Sequence, residues 1–150
     1  MVPLASGASV GYPDELRHEQ RAVRVIRLVA VNISGARDQN PPAGVVGDVV
    51  TGTDRLRNAV RQFGKPRGAV VGRACYRTVL ETATVASVDV TATLPGGTIR
   101  ARGQVDFRRD SNVIRVVGGA GAFARASGIV EEKVLRSDQT LNVYRLRGSG

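Results

Sequence analysis

Residues able to do chemistry are few in this 150-residue chain. His18 is its one histidine and Cys75 its one cysteine. No four-coordinate set of imidazoles and thiolates can be assembled from them, and no Asp-x-Asp-x-Asp-Gly run offers a carboxylate cage. A Ser–His–Asp or Cys–His relay would have to bring His18 in from the N-terminal segment. Gly119-Ala120-Gly121-Ala122-Phe123-Ala124 matches G-x-G-x-x-A, but a dinucleotide site also needs a following helix, a parallel strand and an acid about 20 residues on. The 26 residues after Ala124 read instead as two strands. Hydrolytic and metal chemistry recede, and the expectation is a site with no metal and no cofactor. What survives is chemistry done by a shaped cavity with a few polar side chains.

The elements that must position those side chains are strands. Val numbers 24 and Gly 18, with short apolar stretches and frequent turn residues, a composition suited to β structure. Strands are predicted over Ala22–Ile33, Val45–Leu56, Ala69–Glu81, Thr84–Leu94, Thr98–Phe107, Val113–Val117, Gly128–Leu135 and Leu141–Arg147. Pro95-Gly96-Gly97, Asp110-Ser111-Asn112 and Ser137-Asp138-Gln139 are the turns between several of them, and Gly118–Ala124 reads as a glycine-rich turn. Nearly all connections are short, so the strands pair antiparallel, and eight of them close most naturally into a barrel. A barrel of eight is just wide enough to hold one small ligand. Tyr12–Arg21 alone has helical character, with Pro13 and two acids at its start. The chain divides into a tail and helix-prone segment over residues 1–21 and a barrel over residues 22–150.

Strand alternation indicates what lines the cavity. In the third strand Arg73, Arg77 and Glu81 share one face, so Ala74, Tyr76 and Thr78 point inward. In the seventh, Val130, Glu132 and Val134 share a face that looks like an interior with a single carboxylate. The fifth strand splits into Thr98, Arg100, Arg102, Gln104 and Asp106 against Ile99, Ala101, Gly103, Val105 and Phe107. Periodicity by itself favours the polar set outside. If the polar face turns inward, Gln104 can donate to a substrate carbonyl. Asp54 and Glu132 are further polar groups able to fix a ligand's orientation.

Composition bounds the partners. Lys+Arg 22 against Asp+Glu 13 gives a net charge of +9, and 20 of the 22 cations are Arg. Such a balance invites nucleic acid, yet the arginines are spread singly from Arg17 to Arg147 with acids interleaved, and Trp 0, Tyr 3 and Phe 3 leave little on which to stack bases. No apolar run approaches the 18 or so residues of a membrane span, and the N-terminus lacks the charged and apolar regions of a secretory signal. The expected setting is cytoplasmic, with no nucleic acid and no membrane as partners.

The stretch Val113-Ile114-Arg115-Val116-Val117-Gly118-Gly119-Ala120-Gly121-Ala122-Phe123-Ala124-Arg125-Ala126-Ser127-Gly128 resembles the V-x-G-G-x-G-x-[FY]-x-x-A-x-G signature of the allene oxide cyclase and dirigent protein superfamily. Val71-Gly72-Arg73-Ala74, the Leu94–Gly103 hairpin and Gly47-Asp48 through Thr53-Asp54 are similar to other strands of that family, and the likeness runs from about Val45 to Arg147. The resemblance implies an eight-stranded antiparallel barrel with a cofactor-free cavity. In character it is nearest the bacterial spirotetronate and spirotetramate cyclases, which perform [4+2] cycloadditions. It implies a polyketide substrate bearing a tetronate or tetramate head, and a homodimer, with a trimer as the alternative. The alternative function is a dirigent-like or lipocalin-like barrel that binds a small molecule without turning it over. Tyr76 and Gln104 are the expected catalytic residues, and Asp54, Thr78, Ala74, Glu132, Val130 and Val134 the expected substrate contacts. The Tyr12–Arg21 segment resembles a lid, with Tyr12 and Leu16 facing the cavity.

Overall fold

The computed structural model describes residues 24–33 and 45–148, and the regular elements among them are eight β-strands. They are β1 (Arg24–Asn32), β2 (Val49–Asn58), β3 (Val70–Leu80), β4 (Val85–Leu94), β5 (Gly97–Asp106), β6 (Ser111–Gly121), β7 (Ser127–Arg136) and β8 (Gln139–Arg147). Each pairs antiparallel with its neighbours in sequence, and β8 returns to β1 through Arg24↔Leu146 to Val31↔Gln139, closing the barrel. Closure leaves no unpaired edge, which is how a chain this rich in β-branched residues avoids edge-to-edge association. The expected helix over Tyr12–Arg21, and with it Tyr12 and Leu16, lies outside the described residues.

Alternation does the sorting. Ile26, Leu28 and Ala30 of β1, Ile99, Ala101 and Val105 of β5, and Tyr144 and Leu146 of β8 all turn inward and are buried. Their outward neighbours include Arg27, Arg100, Arg102 and Arg145, all exposed. Gly103 on β5 is also inward, and Ile114 of β6 packs where its side chain would be, a Cβ there lying 2.8 Å from Ile114 Cγ2.

One end of the barrel is closed. Phe123, in the turn after β6, is fully buried among the core residues, and the Arg24 guanidinium lies 5.4 Å from its ring centroid and 5.7 Å from that of Phe63. Asn58, 2 % exposed at the end of β2, donates through Nδ2 to the carbonyls of Gln62, Lys65 and Pro66 at 2.8, 3.1 and 3.3 Å. It thereby ties the loop after β2 across the same end.

The glycine-rich run is more regular than its composition suggests. Gly118–Gly121 do not turn but continue β6, pairing Gly97↔Gly121 through Arg100↔Gly118 with β5. Two positions of the Val116–Gly128 stretch combine a positive φ with no room for a side chain. Gly121 has φ +64°, and a Cβ there would sit 2.4 Å from the Gly96 carbonyl oxygen. Gly128 has φ +131°, and its Cβ would come to 2.0 Å from the Arg145 carbonyl oxygen. A side chain at Gly128 would push β8 off β7.

Candidate functional site

Among the described residues the other end is open. A cavity enters where β2, β4, β6 and β8 begin and β3, β5 and β7 end. Its volume is about 120 Å³, close to the roughly 150 Å³ of an apolar cavity that admits benzene. A ring-sized group fits inside, and anything longer must run out through the mouth.

Its two walls differ in chemistry. Ala74 of β3, Val88 and Val90 of β4, and Val105 and Phe107 at the end of β5 make an apolar wall. Across the barrel, Glu132 of β7 and Thr140 and Asn142 of β8 make a polar one, which Asp54 of β2 continues. The strand register explains the grouping: Glu132 is paired with both Asn112 and Asn142, and Asp54 with Asn32. Tyr76 of β3 sits between the walls, its hydroxyl accepting a hydrogen bond from Asn32 Nδ2 at 3.1 Å. The same amide reaches Asp54 Oδ1 at 3.5 Å. Thr78 and Val50 lie one pleat nearer the mouth, paired with each other.

Burial charges the polar wall with unmet demand. Among the described residues Thr140 Oγ1 and Asn142 Oδ1 are buried with no hydrogen-bond partner, their residues being only 8 % and 5 % exposed. Orphaned polar atoms of this kind cost about 1–3 kcal/mol each, and a ligand that donates to Asn142 Oδ1 and pairs with the Thr140 hydroxyl, as donor or acceptor, recovers that cost. Beneath lies Tyr144, fully buried; desolvation pushes its phenol well above the usual range, with the Glu132 and Asp54 carboxylates adding to the effect. Tyr144 therefore stays a neutral phenol. At the rim, Asp106 is drawn down to about 2, first by the Arg108 side chain and then by the Arg108 backbone N–H. Among the described residues no group of three or more His, Cys, Asp and Glu converges to hold a metal. The site can desolvate an apolar group against one wall and orient it through amides, a phenol and two carboxylates on the other.

Of the residues expected from sequence, Ala74, Tyr76, Thr78, Asp54, Glu132 and Val134 line this one cavity. Val130 does not line it but is buried in the core, 1 % exposed, two residues below Glu132 on the same face. Gln104 is a correction: it is on the outer surface, donating to Glu81 Oε1 at 2.7 Å. Ile99, Ala101 and Val105 take the inner face of β5, because burying the alternative set would desolvate Arg100 and Arg102. An outward Gln104 cannot touch a ligand in the cavity. Asn32, Thr140, Asn142, Arg109 and Arg136 line or support the site without having been singled out in the sequence. Thr140 and Asn142 were within reach of the alternation that places Tyr144 and Leu146 inward. Arg109 stands in a turn and Arg136 at a strand end, where no periodicity speaks.

No family model matches the chain, and no curated protein matches it in sequence. Its barrel is similar to solved structures. An exo-specific intermolecular Diels-Alderase, AbnU, aligns at TM-score 0.64 with 17% identity, over 84% of this chain and 97% of that one. A pyocyanin demethylase aligns at TM-score 0.63 with 20% identity, over 81% and 99%. The pterocarpan synthase dirigent protein GePTS1 aligns at TM-score 0.58 with 15% identity, over 83% and 82%. The likeness drawn from the Val116–Gly128 signature thus holds for the fold: this is the eight-stranded barrel shared by Diels-Alderases and dirigent proteins.

Proposed function

We propose that the protein is a cofactor-independent cyclase of polyketide natural-product biosynthesis, catalysing an intramolecular [4+2] cycloaddition on a substrate with a tetronate or tetramate head. The observation that carries this reading is a single-mouthed cavity with an apolar wall facing a polar one. Such a cavity folds a reactive chain by burying its hydrocarbon while hydrogen bonds hold its oxygens. Restricting two reacting ends to one productive conformer can supply about 7–11 kcal/mol of a barrier, and no group has to ionise or transfer. Tyr76, held by Asn32, orients the acceptor end of the substrate. Likeness to AbnU supports the reading as a precedent for the fold. The test is incubation of the purified protein with a linear polyene bearing a tetronate. The expected outcome is a cyclised product of unchanged mass, formed faster than in buffer and with one stereochemistry. Tight binding with no rate above buffer would overturn the enzyme and favour the second reading, a dirigent-like holder, which the unmet hydrogen-bonding demand of Thr140 and Asn142 and the likeness to GePTS1 support.

A further inference from the structure

The cavity is polarised along its axis. Arg109, in the turn between β5 and β6, and Arg136, at the end of β7, both line its mouth. The turn is clipped to β7 by the Val134 N–H donating to the Asp110 carbonyl at 2.8 Å, so the two arginines share one stretch of rim. Neither makes a side-chain hydrogen bond or an ion pair among the described residues. The nearby acid, Asp106, is already held by Arg108 through Nε at 3.0 Å and Nη2 at 2.8 Å. Deeper in, Asp54 and Glu132 line the wall, and among the described residues Asn142 Oδ1 awaits a donor and the Thr140 hydroxyl a partner.

From this arrangement we infer that the site selects amphipathic acids and binds them in one direction, with an apolar, donor-bearing end in the cavity and an anionic group at the Arg109–Arg136 rim. The inference rests on the reading of the cavity as the ligand site and adds the charge and polarity of what enters. An anion inserted first would meet the Asn142 Oδ1 acceptor, which has no proton to give it. One left at the mouth meets two guanidinium forks whose geometry matches a carboxylate, an enolate or another oxyanion. Size enforces the same orientation, because about 120 Å³ holds a ring-sized group and the remainder of any ligand passes the arginines on its way out.

A matched pair of fluorescent probes tests this. 1-Anilinonaphthalene-8-sulfonate and N-phenyl-1-naphthylamine share one aromatic body and differ by a sulfonate. At low ionic strength the sulfonated probe should bind about tenfold tighter, on the scale of one charge-assisted contact at an exposed rim. Replacing both rim residues, Arg109→Gln with Arg136→Gln, should remove most of that preference while leaving the neutral probe's Kd within about twofold. The two probes should displace one another, and Ala74→Trp, which fills the cavity, should abolish both; mutual displacement carries the point if that variant does not fold. Equal affinity of the two probes for the unmodified protein, a preference that survives the double substitution, or failure of the probes to compete would overturn the inference. Neutral-probe binding without anion preference sinks this inference alone. Binding of neither probe sinks it together with the cavity reading on which the proposed function stands.

Discussion

Tyr76 joins the two walls of the cavity. Its ring packs against the core, and its hydroxyl accepts from Asn32. Those two contributions separate by mutation. Tyr76→Phe keeps the ring and loses the hydroxyl, at a stability cost of about 0.5–1.5 kcal/mol. Tyr76→Ala also keeps the barrel, because the closed end and all eight ladders are untouched, but it leaves the substrate without its orienting surface. Turnover of a linear polyene should fall at least about tenfold in Tyr76→Ala. Full activity in that variant, measured beside its melting curve, would take Tyr76 out of the site. Gln104 gives the opposite lesson. Its side chain is as polar as Tyr76 is amphipathic, and the two differ in role because one strand face is buried and the other is not.

At the scale of elements, the β5–β6 turn carries a pH-dependent contribution. Asp106 stands at the end of β5, its carboxylate bound by the Arg108 side chain and backbone, and its backbone N–H and carbonyl are held by the Asn112 amide. Its pKa falls from 3.8 to about 2 on folding. A depressed carboxyl contributes stability that is present above its unfolded pKa and disappears as pH falls through the folded one. Melting temperatures of the unmodified protein and of Asp106→Asn should therefore differ at about pH 5 and converge between 3.8 and about 2. A gap that persists below that window would mean that the carboxylate charge is not what Asp106 contributes, because the Asn112 contacts are made to the backbone and are the same in both proteins. Because this turn presents Arg109 to the mouth, loosening it should also weaken anionic ligands.

On the whole molecule, register gathers charges that the sequence disperses. Arg55 lies directly opposite Arg73, and Arg102 opposite Arg115, on the outer surface. Asp89 answers part of this, bound to Arg100 at 2.9 Å and to Arg102 at 3.1 Å, with its carboxyl held below the usual range first by Arg100. Like charges directly across a sheet are destabilising by roughly 0.2–1 kcal/mol. Arg73→Gln should consequently raise the melting temperature, and the gain should shrink as salt screens the pair. An Arg73→Gln protein less stable than the parent at low salt would show that the arginine stem packs on the barrel more than its charge repels. No helix among the described residues is long and apolar enough to cross a membrane.

Strand number, antiparallel order and most of the inward-facing set were legible in the residues themselves. Period-two alternation and short turns are local signals, and burying one face leaves little choice of register. That is why Ala74, Tyr76, Thr78 and Glu132 could be assigned inward from β3 and β7 alone. Only the closed tertiary structure decided that Gly118–Gly121 extend β6 instead of turning, because the reason is a carbonyl of another strand lying where a side chain would be. It also decided that Phe123 and the Asn58 loop close one end, leaving the cavity a single mouth among the described residues. It brought Arg109, Arg136, Asp54 and Asn142 to one cavity from four places in the chain. Alternation reports which face a residue occupies; it carries no information on which residues four strands away lie across the barrel, and a site built between opposite walls depends on that distance.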